Sequence, residues 1–101
     1  MNILVCDAIR TRSLLRFVYD GYERLVEPHL YAINSADHEA LSAWLVAGWS
    51  KSEPEAGWRT YLVREMVDVQ VLAEKFTGTR PGYVPDDSRM RQLFCRLEGD
   101  G

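Results

Sequence analysis

Residues 14–33, LLRFVYDGYERLVEPHLYAI, decide the fold. LLRFVY, residues 14–19, is rich in β-branched and aromatic side chains, and Asp20-Gly21 is the residue pair that a two-residue hairpin turn favours. YERLVEPHLYAI, residues 22–33, follows with a hydrophobic period of two. The segment predicts an antiparallel hairpin. Pro28 has no N–H to give to a ladder, so the second strand is expected to bend or to lie at an edge near that point.

The pattern extends in both directions from the hairpin. Upstream, ILVCDAIRTR, residues 3–12, places Ile3, Val5, Cys6 and Ile9 at a spacing that suits a short helix. Downstream, NSADHE, residues 34–39, is turn chemistry, and ALSAWLVAGW, residues 40–49, is a third apolar strand. The polar loop SKSEPEAG, residues 50–57, leads to WRTYLV, residues 58–63, and VDVQVLAEKF, residues 67–76. In the last of these Val67, Val69 and Val71 alternate with Asp68 and Gln70. TGTRPGYVPDD, residues 77–87, is rich in Gly and Pro and reads as an irregular connector. Asp86 or Asp87 is then an apt N-cap for a helix near residues 87–98, with Met90, Leu93, Phe94 and Leu97 at i, i+3, i+4, i+7. That stripe is expected to dock on the body of the domain or on a second subunit.

One helix, five strands with short links and no βαβ pattern predict a mainly β protein. The expected architecture is a five-stranded barrel of the Sm or SH3 type over residues 13–76, with a short N-terminal helix and an amphipathic C-terminal helix. Closure is expected because it hides the edges that an open sheet exposes. At 101 residues the chain has room for one such unit.

Composition narrows the function classes. A net charge of −3 and a pI near 5.3 argue against a protein that coats nucleic acid through bulk electrostatics. No apolar run is long enough to span a membrane, and MNILVCDAIRTR lacks the basic and apolar regions of a signal peptide, so a cytoplasmic protein without a membrane partner is expected. In a reducing cytosol Cys6 and Cys95, far apart and without metal-ligand spacing, are expected to remain thiols and to pack as small apolar residues. No Gly-rich phosphate loop, metal-ligand cluster or G-x-S-x-G elbow is present, so neither catalysis nor a cofactor is expected.

The ordered set of segments resembles the WYL domain family. AIRTRSLLRFVYDGYERLVEPHLY is similar to the opening of such a domain, where a short helix leads into paired strands with a Tyr-x-Gly-type turn and a Glu-Pro segment. WLVAGW, residues 44–49, matches the tryptophan-tyrosine-leucine stretch that names the family, with Leu45 and Val46 in place of the tyrosine and leucine. WRTYLVREMVDVQVL matches its W-R-x-F-R-L-D-R-I-x-x-V-x-V-L segment, and FTGTRPGY resembles its close. The similarity spans residues 8–83, which divides the chain into a WYL-like barrel domain, residues 1–83, and a helical extension, residues 84–101.

The resemblance implies an Sm-like barrel that serves as a sensor or regulatory module in bacterial transcription, with nucleotides or nucleic acid as ligands. Only about a dozen residues precede Leu14, fewer than a helix-turn-helix needs, so a separate DNA-binding regulator is the implied partner. The two arginines of the family's R-L-D-R-I run, candidates for holding an anion, are replaced here by Leu62 and Glu65, and Arg64 stands between them. Arg64 and Glu65 read as a solvated turn.

Arg59 survives, and strict alternation puts it on one face with Tyr61. Arg59, Tyr61, His29 and Arg16 are therefore the expected ligand-binding residues: a guanidinium makes bidentate contacts with phosphate, and a neighbouring ring offers a stacking surface. Arg10, Arg12, Arg16 and Arg24 interleave with Tyr19, Tyr22 and Tyr31 in a pattern that also suits single-stranded nucleic acid. The three tryptophans, Trp44, Trp49 and Trp58, read as core or interface anchors, and leftover apolar surface predicts a homodimer. The competing expectation is a non-catalytic structural or oligomerisation partner with no small ligand.

Overall fold

The computed structural model describes residues 1–48 and 55–98. The end of the expected third strand at Trp49 and most of the expected 50–57 loop lie outside the described residues. The described residues form one helix and six strands: α1 (Ile3–Thr11), β1 (Ser13–Tyr19), β2 (Tyr22–Asn34), β3 (Glu39–Gly48), β4 (Gly57–Leu62), a 3₁₀ turn (Val63–Glu65), β5 (Val67–Lys75) and β6 (Met90–Arg96). All ladders are antiparallel, in the order β4-β3-β2-β1-β5, with β6 joining β2. Among the described residues no ladder joins β4 to β5, so the sheet curls without the closure expected of the barrel. No described helix is long and apolar enough to cross a membrane.

Local chemistry explains each element. Asn2 caps α1, its side-chain oxygen accepting from the N–H groups of Leu4 at 3.0 Å and Val5 at 3.4 Å, and Arg12 ends the helix in the left-handed region at φ 54°. Val5, Cys6, Ala8 and Ile9 form the buried stripe of α1. At the β1–β2 turn both Asp20 (φ 52°) and Gly21 (φ 78°) take positive φ, the backbone whose twist matches the flanking strands. The expected hairpin is present, with Tyr19 opposite Tyr22 and Leu15 opposite Val26.

β2 organises everything else. β3 runs along one edge from Arg24 to Ile33, so the other edge is divided: β1 takes residues 22–26, and β6 takes residues 30–34. Pro28 falls in the gap between them, where the missing N–H costs no ladder bond on that side, and the β2–β3 register shifts between Pro28 and Leu30. The core lies inside this bend. Phe17, Tyr19 and Tyr61 meet edge to face with centroids 4.9–6.3 Å apart, and Leu15, Val26, Tyr31, Leu41 and Leu45 fill the rest with the α1 stripe. The Tyr31 hydroxyl accepts from the Asn2 N–H at 2.7 Å and donates to Glu39, tying α1 to the sheet.

The C-terminal segment corrects two expectations. Residues 90–96 are not the predicted amphipathic helix but a strand that pairs with β2. The helix signal was ambiguous for a physical reason. An Asp two residues before a chain reversal makes the same side-chain-to-backbone bond whether it starts a helix or a turn. Here the Asp87 carboxylate accepts from the Arg89 N–H at 3.0 Å and the Asp87 carbonyl accepts from the Met90 N–H at 2.9 Å, which turns the chain into β6. Two register shifts in the β2–β6 ladder then break strict alternation, so Met90, Leu93, Phe94 and Leu97 need not share a face: Leu97 is buried and Leu93 is exposed. What decides the outcome is the vacant edge of β2 at residues 30–34, which no local pattern reveals.

The second correction concerns the cysteines. Cys6 on α1 and Cys95 on β6 are joined in a disulfide, with Cα atoms 5.7 Å apart, rather than packed as thiols. The bond pins the helix to the last strand across a sequence separation of 89 residues.

Candidate functional site

The connector at residues 77–84 contains no helix or strand and is held by a network of polar contacts. The Arg80 guanidinium makes two parallel bonds to the Glu27 carboxylate, Nε to Oε1 at 2.7 Å and Nη2 to Oε2 at 2.8 Å. Such a fork-on-carboxylate pair is charge-assisted and directional. The same guanidinium lies 5.1 Å from the centre of the Trp44 ring, a cation–π distance. One residue pair therefore clamps the connector to β2 and β3 together.

His29 sits directly beneath this clamp and is fully buried. Its Nε2 accepts from the Arg80 backbone N–H at 3.1 Å, which leaves Nδ1 to carry the proton and donate to the Glu27 carbonyl at 2.8 Å. Trp58, Phe76 and Tyr83 surround the ring with centroids 4.7–5.7 Å away. Burial lowers the His29 pKa below 6.5, outweighing the Glu27 carbonyl and carboxylate, which favour the imidazolium; the Arg80 charge adds to the lowering.

A depressed histidine pKa has a definite sign in stability. Neutral His29 stabilises the fold fully above its unfolded pKa near 6.5, and the contribution is lost as pH falls toward the lower folded-state value. Within that window the wild type is expected to lose about 1.4 kcal/mol per pH unit that a His29→Gln variant does not lose. Urea unfolding of both proteins from about pH 7 to about pH 5 checks this, and parallel pH dependences for the two would sink it.

Two hydrogen bonds and a ring stack also seat the connector. Trp58 Nε1 donates to the Pro81 carbonyl at 2.8 Å, and the Trp58 and Tyr83 rings stack with centroids 6.1 Å apart. The Tyr83 hydroxyl donates to the Leu97 carbonyl at 2.8 Å, and burial raises its pKa to about 12, so it remains a donor at neutral pH. Between them Gly82 takes φ 90°, and a Cβ there would stand 3.1 Å from Trp58 Nε1. Arg80-Pro81-Gly82-Tyr83 is thus a unit in which each residue has a separate job.

Seating the connector over β4 leaves a cleft of about 300 Å³ at the sheet margin. Ser42, Trp58, Arg59 and Thr60 form the sheet side, and Gly82, Tyr83, Val84, Asp87 and Arg89 form the connector side. The Arg59 guanidinium donates to the Trp58 carbonyl at 2.8 Å and to the Glu55 carbonyl at 2.9 Å, which fixes it at the rim. Across the cleft Arg89 forms a forked pair with Asp87, Nε to Oδ1 at 3.0 Å and Nη2 to Oδ2 at 2.6 Å. That pair holds the Asp87 pKa below its ordinary 3.8. Two guanidinium groups, two aromatic rings and two hydroxyls therefore face one concavity.

The four residues expected from the sequence do not converge. Arg59 lines this cleft. Tyr61 shares its face of β4 as alternation requires, but its ring is in the core against Phe17 and Tyr19 and offers no stacking surface. His29 lies behind the cleft wall, enclosed by rings. Arg16 is on β1, paired with Glu23 in a different depression beside Asp68 and Gln70. The aromatic residues that do line the cleft are Trp58 and Tyr83. Arg89 had no motif to announce it, and Arg80 stood only within the FTGTRPGY stretch, although its R-P-G-Y run carries a usable signal: a Gly between an Arg-Pro pair and an aromatic residue marks a close backbone approach.

Among the described residues no group of His, Cys, Asp or Glu side chains is arranged to hold a metal ion. Comparisons with family models, with curated proteins and with solved structures found no match to this chain.

Proposed function

We propose that the chain is a WYL-like regulatory module with an Sm- or SH3-like architecture, and that it binds an anionic ligand, a nucleotide or a short single-stranded nucleic acid, in the cleft between β4 and the connector. The observation that carries the reading is the convergence of Arg59 and Arg89 with the Trp58 and Tyr83 rings. A phosphate held by a guanidinium fork and a base laid against an aromatic ring is the minimal pairing for such ligands. The return of β5 to β1 is what a small barrel needs before its last edge closes, and it supports the architectural part of the proposal. A role in bacterial transcription, exerted through a separate DNA-binding regulator, is what the WYL resemblance implies.

Arg59→Ala is expected to weaken binding of a nucleotide or short oligonucleotide by about 1.5–3 kcal/mol, the range for a hydrogen bond to a charged group. Raising the salt concentration should weaken it further. Calorimetric titration checks both, and saturable binding indifferent to Arg59→Ala would remove the cleft from consideration.

A second reading, a structural partner that acts through self-association, is favoured by a different observation. Met1, Ile3 and Leu4 at the start of α1, and Val67 at the start of β5, are large apolar residues left exposed. A homodimer would cover such residues. Sedimentation at micromolar concentration distinguishes the two, since this reading requires a species heavier than 11.6 kDa.

A further inference from the structure

The connector side of the cleft already contains an anion. Asp87 presents both carboxylate oxygens to the Arg89 guanidinium in the geometry that an external carboxylate or phosphate would adopt. Its side chain is nearly enclosed, with 13% of its area exposed, whereas that of Arg89 is 71% exposed. The guanidinium can therefore swing or be approached from solvent while the carboxylate stays in the wall. The low Asp87 pKa keeps this internal anion charged throughout the neutral range.

We propose that Asp87 is a built-in competitor for the anion site: it occupies the Arg89 fork in the empty protein and must yield it to a phosphate-bearing ligand. The proposal rests on the cleft being the ligand site and specifies what that site selects. A monoanion gains little by replacing one carboxylate with another. A phosphate monoester brings two negative charges to the same fork and can reach Arg59 as well, so it overcomes the competition where a simple carboxylate does not. Asp87 thus sets a threshold of charge for entry, and the aromatic walls add a preference for a ring attached to the phosphate.

Asp87 also organises the turn into β6, since its carboxylate accepts from the Arg89 N–H and its carbonyl from the Met90 N–H. Asparagine retains a side-chain oxygen for the turn and removes only the charge. Asp87→Asn is therefore the informative substitution. The neighbouring Asp86 supplies the control, because its side chain is 89% exposed and paired with Arg96, and Asp86→Asn changes the net charge by the same amount.

The probes are adenosine 5′-monophosphate, inorganic pyrophosphate and uncharged adenosine, titrated calorimetrically into the wild type and the two variants at low salt. Removing a like charge a few ångströms from the bound phosphate is expected to tighten binding of the two phosphorylated probes on the order of tenfold in Asp87→Asn. Adenosine binding should be unchanged, and Asp86→Asn should match the wild type. Equal tightening in both variants would assign the effect to net charge and overturn the proposal. If the wild type binds the monophosphate in an Arg59-dependent manner and Asp87→Asn does not tighten it, the competitor role fails while the cleft remains the ligand site. Absence of binding in the wild type and in Asp87→Asn alike overturns both.

Discussion

Reducing the Cys6–Cys95 bond is expected to lower the stability of the fold by about 4.6 kcal/mol, the chain-entropy value for a covalent loop of this size. The estimate follows from the separation of 89 residues between the two cysteines, which makes the oxidised unfolded chain far more restricted than the reduced one. The folded state adds a local reason. β6 is held to β2 by one ladder and to α1 by this bond, and α1 lies over the core through Val5 and Ile9. Urea unfolding with and without a dithiol reductant measures the effect, and the Cys6→Ala/Cys95→Ala double variant should reproduce the reduced value. An unchanged midpoint in both experiments would mean that the thiols do not bond in solution, as the sequence alone suggested.

Trp58→Ala is expected to cost about 3 kcal/mol, the low end for truncating a large aromatic residue, because Trp58 is only partly buried. Four contacts meet on this ring: the edge of His29, the edge of Trp44, the stacked face of Tyr83 and the bond to the Pro81 carbonyl. Removing it frees the middle of the connector while the Arg80–Glu27 clamp remains. The expected signature is thus specific. The Tyr83 amide, which donates to the Arg80 carbonyl, should lose hydrogen-exchange protection before those of β1 and β2, and the nucleotide binding proposed above should be lost with it. Trp58→Phe should recover part of the packing without the Pro81 bond. A loss of stability spread evenly over the whole sheet would contradict the seat described for the connector.

The elements that could be read from the sequence were those whose signal is local. Asp20-Gly21 demanded a turn with positive φ, and the alternation on either side demanded paired strands, so the β1–β2 hairpin was legible, its turn to the residue and its outer ends to within one. The spacing of Ile3, Val5, Cys6 and Ile9 likewise made α1 visible, although Ile3 is exposed and Ala8 completes the buried stripe. β6 was not legible, because its apolar spacing fits a helix and its strand character comes from the edge of β2 that β1 leaves vacant. The site divides along the same line. Arg59 could be placed at the margin by its position in β4, but Tyr61 could not be known to point into the core without the positions of Phe17 and Tyr19. His29 and Glu27 alternate in the sequence like solvent-facing residues, yet both are buried because Arg80 and Tyr83, more than one strand away in the chain, cover them.

The shared edge of β2 also orders the events of folding. The β1–β2, β2–β3 and β3–β4 pairings join consecutive segments and need only short loops to close, whereas Ser13 meets Lys75 and Leu30 meets Arg96 from opposite ends of the chain. Contacts so distant in sequence lose more entropy before they stabilise anything, and they slow the approach to the transition state. The central meander is therefore expected to assemble first and β6 to arrive late, onto an edge whose boundary β1 has already set. Cys6 and Cys95 come within bonding distance only with that last step, so trapping free thiols at successive refolding times is expected to find them persisting after the β1–β2 and β2–β3 amides are protected.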